Sequence, residues 1–307
     1  MPASSASPAI RTHAPESGIA LMVLAMLLVP IGDTLSKLLT DIMGPLEIGF
    51  WRFLLQGGIL TVAVLVMRKK LTGAPIWLLI VGGVSSATTL AALIGAFAVM
   101  PIATAIAIFF VEPLILTVLA GLILREPTGW RRYIAVAVGL IGAIIVIRPS
   151  WSIFGWASLL PLLAAFAFAI NAITMRQLSK HLDSLAIQFW FAIIAAIFLG
   201  VMQLSLGDLD LFSFTNGLDL SGPWFMLFCM GLLSGLTFFL ITEAFRRTPA
   251  TTLAPFQYLE IVGATALGYI VFGDFPDFWT WVGTAIILAS GLYVFDRERR
   301  AKKHGLA

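Results

Sequence analysis

Three stretches of this chain, residues 149–175, 184–207 and 220–242, contain no Asp, Glu, Lys or Arg. A helix crosses the roughly 30 Å hydrocarbon core of a bilayer with about 20 apolar residues, and each stretch is that long. Such blocks leave little choice of fold. A backbone in lipid must satisfy its own hydrogen bonds, so only helices and closed barrels span a membrane. Barrel strands are short alternating segments, which these blocks are not. A soluble domain carries about 25% charged residues, against 11% here with 60% hydrophobic. The sequence therefore predicts an all-α membrane protein.

Turn formers divide the chain into ten predicted transmembrane helices, at 18–39, 46–67, 77–99, 102–124, 130–148, 154–176, 184–205, 222–245, 250–272 and 278–295. The breaks fall at Gly44-Pro45, Thr72-Gly73, Met100-Pro101, Pro127-Thr128, Pro149, Gly222-Pro223, Pro249 and Phe275-Pro276. Proline in a first helical turn removes only an N–H that would be an orphan there. With the N-terminus inside, every Lys and Arg except Lys37, Arg52 and Arg148 falls on the inner side. Outer loops instead carry Asp41, Asp208, Asp210, Asp219, Asp274 and Asp277. That asymmetry places both termini in the cytoplasm. Residues 1–17 read as a disordered polar tail, and residues 298–307 as a basic cytoplasmic tail. The first apolar block shows no cleavage site and reads as a retained helix.

The two halves resemble each other. MPIATAIAIFFVEPLILTVLAGLILREPTGW (100–130) aligns with TPATTLAPFQYLEIVGATALGYIVFGDFPDFW (248–279), pairing Glu112 with Glu260. DTLSKLL (33–39) aligns with NAITMRQ (171–177), and IGFWRF (48–53) with IQFWFA (187–192). The repeats are 18–148 and 154–297. Each holds five spans, an odd number, so the second enters the membrane upside down. Inverted repeats of this kind are a device of secondary transporters, whose site lies near the midplane between them.

FFVEPLILTVLAGLILREPTGWRR, GLIGAIIVIRP and the closing PFQYLEIVGATALGYIVFGDFPDFWTWVGTAIILASGLYVFDRER resemble the EamA-type members of the drug/metabolite transporter superfamily. The resemblance covers residues 18 to 297. GDTLSKLLTD followed by Arg52 is similar to a bacterial branch that includes S-adenosylmethionine and riboflavin uptake proteins. The resemblance implies a central cavity between the halves and alternating access. One departure is that Glu112-Pro113 is matched by Glu260-Ile261, so a proline-dependent bend is expected only in the first repeat.

A charge inside a bilayer needs a partner or a function. Glu112 and Glu260 lie near the middle of their spans, where a low dielectric favours a neutral carboxyl. They are candidates to line the cavity and couple transport to protons, or else acids bonded to a neighbouring helix. Asp33 and Lys37 are four residues apart on one helix face and can pair; Lys37 can also snorkel outward. Asn171, aligned with Asp33, and Thr174 can bond a ligand or another helix. Arg52 can be neutralised by Glu47 or by an anionic group on a substrate. Gln257 and Tyr258 sit close to Glu260. Trp51 and Trp190 read as interfacial anchors. Glu126, Asp274, Arg131 and Arg132 read as span-end residues, and Gly231 and Gly235 in the GLLSG run as close-packing positions.

These features predict a secondary transporter of a small amphiphilic or zwitterionic metabolite, of the riboflavin, S-adenosylmethionine or amino-acid type, in a bacterial inner membrane. An exporter of amino acids or drugs is the alternative. Membrane lipids and a small-molecule substrate are the expected partners, with protons as coupling ion and facilitated diffusion as the simpler case. No nucleic acid and no cofactor are expected, and no oligomeric state is assigned. His13, His181 and His304 are far apart and Cys229 is the single cysteine, so no metal-ligand spacing appears. A phosphate-binding Gly-Lys-Ser/Thr loop is absent, which sets aside an ATP-driven pump. The dispersed acids disfavour an integral membrane enzyme, and no filter-like segment suggests a channel.

Overall fold

The computed structural model describes residues 15–123, 130–205, 222–248, 253 and 256–303. Most of the N-terminal tail, with His13, lies outside these residues. So do Glu126, Pro127-Thr128, Asp208, Asp210, Asp219, Pro249 and His304, together with the side chains of Arg131 and Arg132.

Among the described residues the chain is all-helical and without strands. Its helices are α1 (Pro15–Leu39), α2 (Pro45–Val66), α3 (Ile76–Phe97), α4 (Ile102–Phe109), α5 (Glu112–Ile123), α6 (Trp130–Phe154), α7 (Leu160–Leu178), α8 (Ser184–Ser205), α9 (Pro223–Arg247), α10 (Leu259–Phe272) and α11 (Phe278–Lys303). Among the described residues, seven segments are long and apolar enough to cross a membrane, α4 and α5 together forming one of them; Tyr133–Arg148, Leu259–Phe272 and Phe278–Tyr293 are shorter apolar helices. Large side chains such as Val66, Ile76, Trp156 and Phe278 point outward, as expected where the solvent is lipid.

Pro45 and Pro223 start α2 and α9 as predicted. Pro149 does not end its helix: α6 continues to Phe154, and a short 3-10 turn follows at Gly155–Leu159. The chain turns instead at Gly155, whose φ of +58° suits a residue without a Cβ. Gly273 closes α10 in the same left-handed way, its N–H bonding Tyr269 and that of Asp274 bonding Gly268. This end cap aims Asp274 back toward α1.

α1 packs on α9 and α10, α2 on α8 and α9, α3 on α7 and α8, α5 on α7, and α6 on α11. α4 runs through the centre, every residue from Ile102 to Ile108 being buried. The main apolar cluster gathers around it, with Phe97, Met100, Val146, Ile261 and Ile287.

Candidate functional site

Two helices begin inside the bundle. The fourth span is interrupted at Phe110 and Val111, and α5 then starts at Glu112. Pro113 lacks the N–H that would continue the ladder from α4. The second half is interrupted too, at Tyr258, two residues before Glu260 in the first turn of α10. This second interruption has no proline after its glutamate: Ile261 stands where Pro113 stands in the first half, and its N–H bonds the Tyr258 carbonyl. Each glutamate thus sits in the first turn of a helix that begins inside the bundle. Phe110 and Tyr258, at matching positions, pack ring on ring at 5.3 Å. Tyr258 also sits in electrostatic reach of Glu112, and its hydroxyl lies against Gly291 of α11. Gln257 is half-buried one residue earlier.

Next to this crossing, α1, α2 and α9 bring polar groups together. Arg52 Nε donates to the Ser234 hydroxyl at 2.8 Å, and its Nη1 to the Ser36 hydroxyl at 3.4 Å. The same Nη1 lies 4.0 Å from the Asp33 carboxylate. Asp33 is in turn close enough to Glu260 for their charges to interact. Ser36, fully buried, donates to the Gly32 carbonyl and approaches the Met230 sulfur.

Asp33 and Lys37 do not pair. Lys37 Nζ bonds Asp274 at 2.9 Å and the Met100 carbonyl at 3.1 Å, and lies 4.6 Å from the Phe272 ring centre. The reason is reach: Lys37 sits in the last turn of α1, where the α10 cap delivers Asp274. Asp274 is therefore half of a cross-bundle ion pair rather than a simple span-end residue. A second such pair, Lys69 with Asp183 at 2.9 Å, lies at the opposite end of the bundle. Trp51 is buried against Trp224 and Phe50, and Trp190 donates to the Leu71 carbonyl; both are held by protein contacts.

Asn171 and Thr174 are not at this cluster. Asn171 Nδ2 donates to the Gly82 carbonyl at 2.9 Å and the Ser86 hydroxyl at 2.6 Å, tying α7 to α3. Thr174 bonds the Ile170 carbonyl of its own helix. Asn171→Ala is expected to lower stability by about 1 kcal/mol, from two lost interhelical bonds. Thermal unfolding in detergent measures it.

A cavity of about 540 Å³ lies between α6 and α11, lined by Trp130, Ile134, Val138, Ile286 and Tyr293 among others. Its lining is mostly apolar and includes none of the polar candidates. A small void of about 10 Å³ between α10 and α11 is lined by Thr265, Thr280 and Thr284 among others; the buried Thr265 hydroxyl has no partner among the described residues. That is about the space of one water.

The sequence pattern of the EamA-like transporter family matches residues 16–148 and again residues 155–295. The chain belongs to this family. The transporter is 28% identical over 298 residues to an S-adenosylmethionine uptake transporter of Rickettsia felis, covering 94% of this chain and 96% of the relative. It is 30% identical over 204 residues to a riboflavin transporter of Vibrio cholerae, 66% of each chain. A pseudopaline exporter of Pseudomonas aeruginosa is 27% identical over 90% of this chain and 94% of its own. One solved crystal structure matches the fold at a TM-score of 0.63 with 15% identity, covering 93% of this chain and 98% of its own. This EamA-like transporter is a multi-pass membrane protein.

Ser36, Ser234 and the Met100 carbonyl were not among the site residues read from the sequence. Ser36 had a signal, lying three residues from Asp33 on one helix face. Ser234 sits inside the GLLSG run, where close packing was the evident reading.

Proposed function

We propose that the transporter moves a small amphiphilic or zwitterionic metabolite across a bacterial inner membrane by alternating access, with Glu112 and Glu260 coupling it to protons. Residues 18–148 and 154–297 are then the two inverted five-helix repeats, with both termini in the cytoplasm. The observation that carries this reading is the pair of helices, α5 and α10, that begin inside the bundle with a glutamate in the first turn. Discontinuous helices of this kind build midplane sites in secondary transporters. The packing supports it as well: α1 with α9 has its counterpart in α3 with α7, and α1 with α10 in α5 with α7. Relatives named as an S-adenosylmethionine uptake transporter and a riboflavin transporter agree in cargo size. Asp33, Arg52, Gln257 and Tyr258 line the route in this reading, and direction follows the available gradients.

The test is counterflow in proteoliposomes. Vesicles preloaded with unlabelled S-adenosylmethionine or riboflavin are expected to accumulate a labelled trace of the same compound transiently. Simple leak gives no overshoot, and its absence for both compounds and for amino acids would defeat the proposal.

The pairs Lys37–Asp274 and Lys69–Asp183 join the halves at opposite ends, so alternating access must open them in turn. In a Cys229→Ser background, bridging Lys37→Cys and Asp274→Cys with a short bifunctional thiol reagent is expected to arrest counterflow. A cleavable reagent should restore it on reduction.

A further inference from the structure

We infer that Asp33 and Arg52 together hold the α-amino-acid head of the transported solute, the Asp33 carboxylate taking its ammonium and the Arg52 guanidinium its carboxylate. This rests on the transporter reading above and adds the chemistry of the cargo.

Buried charges in proteins are paired and hydrogen-bonded. Asp33 meets only half of that rule: its charge is paired with Arg52, but at a separation too long for a hydrogen bond. Its residue is buried, yet among the described residues it makes no hydrogen bond, and the guanidinium beside it stands at 4.0 Å, beyond bonding distance. A carboxylate left with open acceptors in such a place is complementary to a donor that the protein does not supply. Arg52 is held along its Nε and Nη1 edge, which leaves Nη2 without a bond among the described residues. Nε and Nη1 are fixed by Ser234 and Ser36, which set the plane of the guanidinium. A guanidinium carries five N–H donors in a fork that matches a carboxylate, so donors remain for a second acceptor. Both side chains keep some open surface, 8% for Asp33 and 14% for Arg52.

The two charges thus form a neighbouring acceptor and donor of opposite sign. An α-amino acid carries its ammonium and carboxylate on one carbon, and fits such a pair without leaving either charge unmet. A phosphate does not fit, because Asp33 adjoins Arg52 and Glu260 lies within electrostatic reach of Asp33. Lys37 is not a rival anchor, since Asp274 and Met100 hold it.

The experiment is competition on the wild-type protein in proteoliposomes, using labelled S-adenosylmethionine and labelled riboflavin separately. Competitors are S-adenosylhomocysteine, which keeps the amino-acid head, decarboxylated S-adenosylmethionine, which lacks the carboxylate, and 5′-methylthioadenosine, which lacks the whole head. L-Methionine tests whether the head alone suffices. S-adenosylhomocysteine is expected to compete well, and the two truncated compounds roughly 10- to 100-fold less well, as for losing a bond to a charged group. In Arg52→Gln the penalty for lacking a carboxylate is expected to collapse to about onefold, a change that misfolding cannot mimic. Equal competition by all three compounds on wild type would overturn the assignment and leave the carrier intact. Exchange of riboflavin without S-adenosylmethionine would do the same. No exchange of any probe would overturn carrier and head-group assignment together.

Discussion

Glu260→Gln is expected to leave counterflow running while abolishing accumulation driven by a pH gradient. The glutamine keeps the shape of the side chain and cannot carry a proton. With the membrane potential clamped, one pH unit stores about 1.4 kcal/mol per proton, enough for roughly tenfold accumulation if one proton moves with each solute. Wild-type vesicles with acid on the far side should approach that ratio, and the variant should stop at equality. Glu260 is the stronger of the two glutamates for this role because it interacts with Asp33 at the charged cluster. Glu112→Gln, at the first turn of α5, is the companion measurement. Unchanged accumulation in both variants would take protons out of the mechanism and leave facilitated diffusion.

Gly283→Leu is expected to have the largest effect on folding. α6 and α11 cross so closely that a Cβ at Gly283 would stand 2.6 Å from the Gly142 carbonyl oxygen and against Val146. Backbone atoms cannot yield as a flexible side chain can. Overpacking of this kind costs about 1–3 kcal/mol or more, and a leucine adds three further carbons to the clash. A fall in the unfolding midpoint and in monodisperse yield should follow. Gly58→Ala is the contrast, because nothing lies within 4 Å of a Cβ there. It should be neutral or slightly stabilising, since alanine is the better helix former. Equal behaviour of the two variants would mean that the α6–α11 crossing is looser than described.

The sequence made the helical class legible because lipid removes the alternatives: long uncharged runs admit no other backbone. It also singled out Glu112 and Glu260 as candidates, because matching segments put an acid at the same place twice. What it could not supply were partners. Lys37 and Asp274 are 237 positions apart, and the nearer acid, Asp33, looked sufficient by helical spacing. Only the arrangement of α1, α2 and α9 sends Asp33 to Arg52 instead. Pro149 misled for a different reason. Proline tends to break a helix, but α6 continues past it, and the positive φ of Gly155 decides where the chain turns. The second interruption, at Tyr258, carries no proline after the glutamate; the nearest one in sequence, Pro255, precedes Tyr258 by three residues.

The Asp33–Arg52 pair bears on electricity as well as on recognition. Opposite charges that travel together through the bilayer field cancel, whereas a single uncompensated charge feels about 2.3 kcal/mol for each 100 mV. A carrier with only Arg52 at its centre would reorient quickly in one direction and be held back in the other by a resting cell's voltage. With Asp33 beside it, this pair adds no net charge to the return of the empty protein in the proposed alternating-access cycle. The transient current that follows a voltage step, before turnover is steady, would then carry no component from this pair.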